Sequence, residues 1–522
     1  MSERQFDNPA KSSPKKIDKR KRRALKRQQR RNKEQKKRSG IFGNLLLIIQ
    51  AVVSALFVGT VFVLDMFPMK YLIAIIGIVL FLFIVAAAMQ KRKNGRSGGG
   101  SFLSLILILI LSMGSYYIAK VNGAVGSLTG GSYKIDSMVV AVLADDPAET
   151  INDAKEYSFG VQYQLKGTDI ENTVAEINQN LDYEIETVEF QSIQEQAGAL
   201  LDGSVQAIVY NEAYNGMLEE VYEDFESDIK IIYRYEIKTV LQSMTGTTAH
   251  EFSITEDCFN VYISGIDVYG PISTNSRSDV NIIATVNPKT HQILLTTTPR
   301  DYYVAIPGVS GGQKDKLTHA GIYGVDASIA TLESLYETEI QFYARVNFTS
   351  VVEIVDQLGG VDVYSEYAFT TRNGAFVVKE GMNHFNGEEA LGFARERYSL
   401  PGGDNQRGKN QQAVIVAMIK KMISPQMLLK ASGIIDSVSD NVETNMSEDQ
   451  IQDLVKMQLD EGGSWSIYSV AATGTGDSNY TYSMPGRTLY VMNPDMDSVQ
   501  KIIDLMDRVQ NGETIEGSEV AQ

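Results

Sequence analysis

Residues 393–412, FARERYSLPGGDNQRGKNQQ, gather three arginines, an aspartate and three glutamines within twenty positions. Arg395 and Arg397 stand two apart, so an extended segment would send both side chains out of one face. Ser399, Pro401, Gly402 and Gly403 then break the segment as a turn, and Asp404 suits the N-cap of a new helix. On that helix Asp404, Arg407 and Gln411 fall at i, i+3 and i+7, which is one face. Arginine forks match phosphate oxygens with paired hydrogen bonds, and a helix N-terminus adds donors of its own. A di-anion such as a pyrophosphate fits a convergence of this kind. Solvated surface arginines with local ion pairs fit the same letters, and the Gly-Gly-Asp turn leaves both readings open.

Further charged residues stand at expected strand ends. Asp267 closes one strand and Asp279 opens the next, so the pair could share one hard cation. Mg²⁺ takes few carboxylates and completes its shell with waters and phosphate oxygens. Two turn aspartates explain the same positions. Arg277 and Arg300 lie beside Asp279 and Asp301, and Lys316 opens KLTHAGIYG as a further cation. Each arginine could instead form a local ion pair of little energetic value. The four histidines, His250, His291, His319 and His384, show no zinc spacing, and a single cysteine, Cys258, excludes an internal disulfide.

The elements that must carry these residues begin with a charge split. Residues 1–39 hold 17 Lys/Arg against 4 acids, a charge of +13, which leaves −29 for the rest of a chain whose net charge is −16. Ile41–Leu64, Tyr71–Gln90 and Ser101–Ala119 carry no charged residue, and each is long enough to cross a hydrocarbon core of about 30 Å. The basic head and the loop holding Lys91, Arg92, Lys93 and Arg96 put those segments on the cytoplasmic side and everything after Lys120 outside. The head, residues 1–40, reads as disordered or as a solvated helix near anionic headgroups. It contains no recognisable DNA-reading motif, which argues against nucleic acid as a partner.

Val121–Tyr133 reads as a Gly/Ser-rich linker. Strands at Met138–Leu143, Tyr183–Phe190, Gln206–Tyr210 and Ile229–Tyr235 alternate with helices at Thr173–Leu181, Gln194–Leu201 and Ala213–Phe225. That pattern predicts a small α/β accessory domain within residues 121–253, with a mainly parallel sheet and no evident chemistry. Residues 254–510 hold strands at Phe259–Ser264, Val280–Val286, Gln292–Thr297, Gln341–Val346 and Val361–Tyr364. The second and third form a hairpin across Asn287–Thr290. Helices are expected at Val325–Tyr336, Phe348–Leu358, Gln406–Met422 and Val499–Arg508, with a helical or mixed stretch at Glu388–Arg395. The acidic tail, residues 511–522, is expected to fray.

The region from Cys258 to Met422 resembles the LytR-CpsA-Psr family of cell-wall ligases. The residues that carry the resemblance are SGID (264–267), SRSDVN (276–281), TTPRD (297–301), KLTHA (316–320), LGGVDV (358–363), GMNHFNGEEALGFARERY (381–398) and GDNQRGKNQQ (403–412). A basic head, three spans and an intervening α/β domain resemble the layout of its capsule-associated members. The resemblance implies an α/β/α catalytic domain with a mixed central sheet, in a multi-pass membrane protein of a Gram-positive bacterium. It implies Mg²⁺-dependent transfer of capsular polysaccharide or a related glycopolymer from undecaprenyl pyrophosphate to a peptidoglycan hydroxyl, forming a phosphodiester, with capsule-assembly proteins as possible neighbours.

Carried over by position, Asp267 and Asp279 correspond to the metal-side carboxylates. Arg277, Arg300, Arg395, Arg397 and Arg407 correspond to pyrophosphate-binding arginines. Asp404 and Gln411 correspond to the motif aspartate and glutamine, with Lys316 as an added substrate-side cation. Where many members have arginine before that glutamine, this chain has Asn410, read as tolerated variation. Asp404 and Asp279 are candidate general bases. The segments VNIIATV, QFYARV, VVEIVDQL and AVIVAMIKKMI could line a groove for a polyprenyl tail, and read equally as ordinary core. Two rival functions fit the same site: a membrane-anchored regulator that senses lipid-linked precursor, and a polyprenyl pyrophosphatase with water as acceptor.

Overall fold

The computed structural model describes residues 19–64, 68–91, 97–128, 133–165, 167–240, 252–266, 272, 275–371, 374–401, 403–424, 427 and 442–520. It divides into two units, Met1–Ala119 and Lys120–Gln522. The first holds three helices that start at Lys19, Met69 and Ser97. Within them Ile41–Phe62, Met69–Lys91 and Gly99–Tyr116 are long and apolar enough to cross a membrane. Of the two readings of the head, the helical one holds where the head is described: one helix, Lys19–Leu64, runs unbroken from the basic segment into the first span. Lys, Arg, Gln and Ala are strong helix formers, and no proline interrupts them. The third helix continues to Leu128, through much of the expected linker.

In the second unit, residues 133–240 form a five-stranded sheet. Its order is Glu186–Glu189, Ser158–Val161, Ala207–Asn211, Tyr133–Leu143, Ile229–Val240. The first two neighbouring pairs are parallel and the last two antiparallel. The sheet is therefore mixed, where alternating strands and helices predicted a mainly parallel one. The expected helix Ala213–Phe225 is instead three short pieces, Glu212–Tyr214, Asn215–Leu218 and Phe225–Asp228. Asp224, at φ 65°, breaks the run just before the last piece. The run Met138–Val142 is buried throughout, which requires cover on both faces. One face packs its own helices. The other includes Ile322, Met484 and Leu489 from later in the chain.

The larger sheet has six strands in the order Val442–Thr444, Phe342–Val346, Phe259–Ile266, Ser278–Asn287, Gln292–Thr297, Ser466–Ala471. The Phe342 strand runs parallel to the Phe259 strand, and the Ser466 strand parallel to the Gln292 strand. The remaining pairs are antiparallel, including the expected hairpin. Side chains alternate between faces. Tyr262, Ile283, Leu294 and Tyr343 pack with residues of helices Val325–Tyr336 and Met496–Gln510. Ile282, Ala284, Leu295 and Phe342 pack on the opposite face with Ile415, Ile419 and Leu454. Helices thus cover both faces, the α/β/α arrangement expected from sequence. The Val361–Ser365 strand pairs only with Gly381–Phe385, in a satellite hairpin.

The acidic tail is not frayed where it is described. Ile515 is fully buried in the core beneath the Met496–Gln510 helix. Its amide donates to Gln292 Oε1 at 3.1 Å, and Arg508 grips Glu519 at 2.6 Å. The long-range cause is that one apolar side chain, invisible as a pattern in an acidic segment, has a hole to fill. Ile515→Ala is expected to destabilise this unit by about 2–4 kcal/mol. Denaturant unfolding of the full chain checks this; an unchanged midpoint would mean that the tail does not pack.

Candidate active site

The site is built on an irregularity at the start of the Ser278–Asn287 strand. Val280 pairs with Gly265 and Ser278 pairs with Ile266, so Asp279 is the extra residue of a β-bulge. A bulge re-aims the side chain it carries. Two glycines permit the close packing around it. A Cβ on Gly265 would lie 2.7 Å from the Val280 side chain, and one on Gly321 would lie 2.6 Å from the Ser276 carbonyl oxygen. Below the bulge, Ser278 Oγ meets the Tyr262 hydroxyl at 2.8 Å, Ser264 Oγ at 3.0 Å and Asn281 Oδ1 at 2.9 Å. These three residues and Tyr262 are buried. The serines of SGID and SRSDVN are thus the scaffold under a carboxylate.

Arg300 reaches both Asp279 oxygens through one terminal nitrogen, at 2.9 Å each, and Thr318 Oγ1 donates to Oδ1 at 3.1 Å. Burial pushes the Asp279 pKa upward. The guanidiniums of Arg300, Arg277 and Arg407 outweigh it, and the net result lies below the ordinary carboxylate range. The loop carrying Arg300 is clamped on two sides. The Thr318 amide donates to the Arg300 carbonyl at 2.8 Å, and the Met492 amide to the Asp301 carbonyl at 2.7 Å.

Arg407 lies in the second turn of the Gly403–Met422 helix, which runs across the sheet and has a cavity on each side. A polar cleft of about 430 Å³ is lined by Asp279, Arg300, Asp301, Arg407, Lys409 and Gln411, among others. An apolar groove of about 450 Å³ is lined by Ile263, Val346, Ile354, Val414, Met418 and further aliphatic residues. Arg395 stands with Asp279, Arg407 and Gln411 in the wall of that groove. Asp279, Arg407 and Gln411 border both cavities, so the two meet at one charged junction. The four segments that also read as core therefore face an open groove with part of their surface.

Several expected site residues fall elsewhere. The stretch up to Arg395 is a helix, Gly387–Arg395, with Glu396 as its extended C-cap. The two-residue spacing to Arg397 therefore does not put both side chains on one face. Arg397 lies over the Tyr398 ring at 4.7 Å and lines neither cavity. Arg277 bonds Glu220 at 2.8 Å. Lys316, nearly buried, lies 2.8 Å from Asp301 and 3.7 Å from Glu220. Neither Arg277 nor Lys316 lines the cleft or the groove; they form a charged layer behind it. Asp404 lies in the first turn of a helix that begins two residues earlier than an N-cap role requires. Asp267 lies outside the described residues.

Sequence reasoning missed four contributors. Glu220 comes from the accessory lobe, to which no chemistry was attached, and reaches across the fold to Arg277 and Lys316. Thr318 and Lys409 have no signal beyond their positions inside the motifs. Asn410 turns inward rather than to the cleft: it is buried, and its Nδ2 donates to the Phe393 carbonyl at 3.3 Å. It fastens together the two helices that carry Arg395 and Arg407, a structural reason for its presence before Gln411.

No group of three or more His, Cys, Asp or Glu side chains able to hold a metal occurs among the described residues. The cleft supplies an ionised Asp279 and the neighbouring Asp301. That donor set does not make a closed cage, but it fits a Mg²⁺ ion that takes its other ligands from water and phosphate oxygens.

The fold and site define a mixed α/β protein with membrane-length helices and a cationic cleft that opens into an apolar groove. The chain belongs to the LytR_cpsA_psr family, whose model matches residues 231–504, just over half its length. Among similar proteins, the polyisoprenyl-teichoic acid–peptidoglycan teichoic acid transferase TagU of Bacillus cereus is 36% identical over 212 residues, 40% of this chain and 67% of that protein. The protein of the same name from Bacillus mycoides is 31% identical over 258 residues, 49% of this chain and 78% of that one. The crystal structure of B. subtilis TagV aligns with 50% of this chain and 99% of its own, at 27% identity and a TM-score of 0.43.

Asp279→Asn removes the charge opposite a nearly buried guanidinium, and breaking such a pair is expected to cost about 3–5 kcal/mol at neutral pH. The folded pKa of Asp279 is lowered, so its contribution is complete above the ordinary value of about 4 and is lost as pH falls through the folded value. Unfolding midpoints of wild type and variant should therefore converge as pH drops below about 4. A gap that stays constant with pH would contradict the pairing.

Proposed function

We propose that this protein transfers a glycopolymer from a polyprenyl-pyrophosphate carrier to a hydroxyl of peptidoglycan. The observation that carries this reading is the junction at Asp279, Arg407 and Gln411, where an apolar groove meets a polar cleft. A lipid diphosphate has the same division: a hydrocarbon tail, a di-anionic centre and a sugar beyond it. The tail lies in the groove, and Arg395 and Arg407 hold the diphosphate oxygens from the groove side, with Arg300 on the cleft side. Two relatives named as transferases of polyisoprenyl-linked teichoic acid to peptidoglycan support the class of reaction. Capsular polysaccharide on undecaprenyl pyrophosphate is the proposed donor, since the basic head, three spans and accessory lobe resemble capsule-associated members of the family.

In the proposed step the acceptor oxygen attacks the phosphorus bonded to the polymer sugar. A new P–O bond forms, and the bond to the bridging oxygen breaks with its electron pair. The carrier leaves as polyprenyl monophosphate, and the acceptor proton passes to a base. Phosphoryl transfer depends chiefly on positioning and charge neutralisation, which the fixed guanidiniums supply. Mg²⁺, when bound at Asp279, would add Lewis-acid neutralisation of the phosphate oxygens. Asp279 is poorly suited to act as the base, because its lowered pKa and its bonds to Arg300 and Thr318 weaken its hold on a proton. Asp404, in the first turn of the helix that carries Arg407, is the remaining candidate. The positive-inside pattern of the sequence supports an outer-side location for this chemistry.

Arg407→Ala and Arg395→Ala are expected to lower transfer by about 10²–10³-fold with unfolding midpoints retained. Arg397→Ala, which lies outside both cavities, should lower it far less. The measurement is wall-linked polymer formed by the full chain from lipid-linked donor. Normal attachment in Arg407→Ala would reject the proposal, and release of free polymer phosphate would identify a hydrolase. Chelation with EDTA should suppress transfer and added Mg²⁺ should restore it. Transfer that is insensitive to EDTA would remove the metal from the mechanism.

A further inference from the structure

The side of the polar cleft away from the apolar groove has no assigned occupant. A two-stranded hairpin, Gly474–Tyr480 with Thr488–Pro494, borders it. Directly opposed residues share a face. The register puts Gly476 with Met492, Ser478 with Tyr490 and Tyr480 with Thr488 on one side. Leu489 and Val491 are buried on the other. Gly474, Tyr490 and Met492 line the same cleft as Asp279, Arg300 and Arg407. The hairpin is tied to the phosphate-side loop, because the Met492 amide donates to the Asp301 carbonyl at 2.7 Å.

The Tyr490 ring approaches Gly476 with one edge and its hydroxyl. A Cβ at that glycine would come within 3.0 Å of both a ring carbon and the hydroxyl oxygen. One ring edge is therefore braced against the neighbouring strand, while Tyr490 as a whole remains 53% exposed at the cleft. A large, exposed aromatic ring braced at one edge beside a charged centre is an amphipathic surface. A pyranose has a matching form, with a C–H face on one side and hydroxyls around its rim. The cleft offers a polar partner in Lys409, and Ser478 stands directly opposite Tyr490 on the same face of the hairpin. The cleft volume of about 430 Å³ falls within the rough 300–1,000 Å³ range of small-ligand sites.

We infer that Tyr490, braced at one edge against Gly476, is a stacking platform for a sugar ring next to the phosphate-binding junction. Two sugars have this chemistry: the polymer sugar attached to the donor phosphate and the peptidoglycan sugar that supplies the acceptor hydroxyl. Which of the two stacks there rests on the transferase reading; sugar binding itself does not.

Saturation-transfer NMR on the full chain in nanodiscs tests the platform with two probes. One is a β-1,4-linked N-acetylglucosamine tetrasaccharide, and the other is the lipid-free repeat oligosaccharide of the polymer. At least one should bind wild type and Tyr490→Phe alike. Tyr490→Ala and Gly476→Val, which removes or lifts the ring, should bind it roughly 3–10-fold more weakly. In the transfer assay Tyr490→Ala should raise the KM of the same partner by a like factor, with kcat changed less than about twofold. Preference for the tetrasaccharide assigns the acceptor, and preference for the repeat unit assigns the donor. Binding of neither probe to wild type, or equal binding by Tyr490→Ala, would overturn the platform. Sugar binding through Tyr490 in a protein that transfers nothing would uphold the platform and reject the transferase reading.

Discussion

Asp279 is a carboxylate in a setting that would ordinarily neutralise it, and it stays charged because guanidiniums from separate parts of the chain converge on it. Arg277 precedes it on the same strand, Arg300 follows the next strand, and Arg407 comes from a helix more than a hundred residues later. Together these cations outweigh the burial that would otherwise raise the pKa of the carboxylate. The bulge at Asp279 is the geometric device that makes this possible. A regular ladder would pair that residue with the neighbouring strand and aim its side chain by the ordinary alternation. One extra residue releases it, and the hydroxyls of Ser278, Ser264 and Tyr262 hold the distorted backbone in a single conformation.

The Gly403–Met422 helix turns this charged centre into a site with two unlike sides. It presents Arg407 and Gln411 at its N-terminal end and an aliphatic run, Val414 to Ile419, further along. The first part borders both cavities, while the second walls the groove. The cleft side of the helix gathers most of the charged groups, Arg300, Asp301 and Lys409 among them, and the groove side most of the aliphatic ones. An amphiphile whose charge lies between two chemically different ends has one orientation in such a site.

The accessory lobe contributes to this centre from outside. Its Glu220 neutralises Arg277 and Lys316, two cations that would otherwise repel each other behind the cleft. Asn275, just before the bulged strand, donates to the buried Asp136 at 2.9 Å. The lobe therefore fixes the approach to Asp279 from behind. A face of its sheet is closed by residues from beyond position 320, so the lobe does not complete its core alone.

Much of this could be read from the letters. The three apolar runs, the Gln292–Thr297 strand, the Val325–Tyr336 helix and the hairpin between adjacent strands follow from local periodicity and turn chemistry, which neighbouring residues set. The placement of Arg407 and Gln411 on one face also follows from helical spacing. The same local rules misplaced Arg397, because they read it with Arg395 on one extended segment, whereas the helix that the capping box at Asn386 and Glu389 starts runs through Arg395 and ends before Arg397. Other features had no local signal. The bulge depends on the register between two strands, the Glu220 ion pairs on how two lobes pack, and the burial of Ile515 on a cavity made by a different helix. Sequence alone determined which residues could bind a phosphate and which segments were apolar, since side-chain chemistry and periodicity are properties of the chain itself. Tertiary structure decided which arginines face the cleft and which stand behind it, because that depends on where distant backbones close on one buried carboxylate.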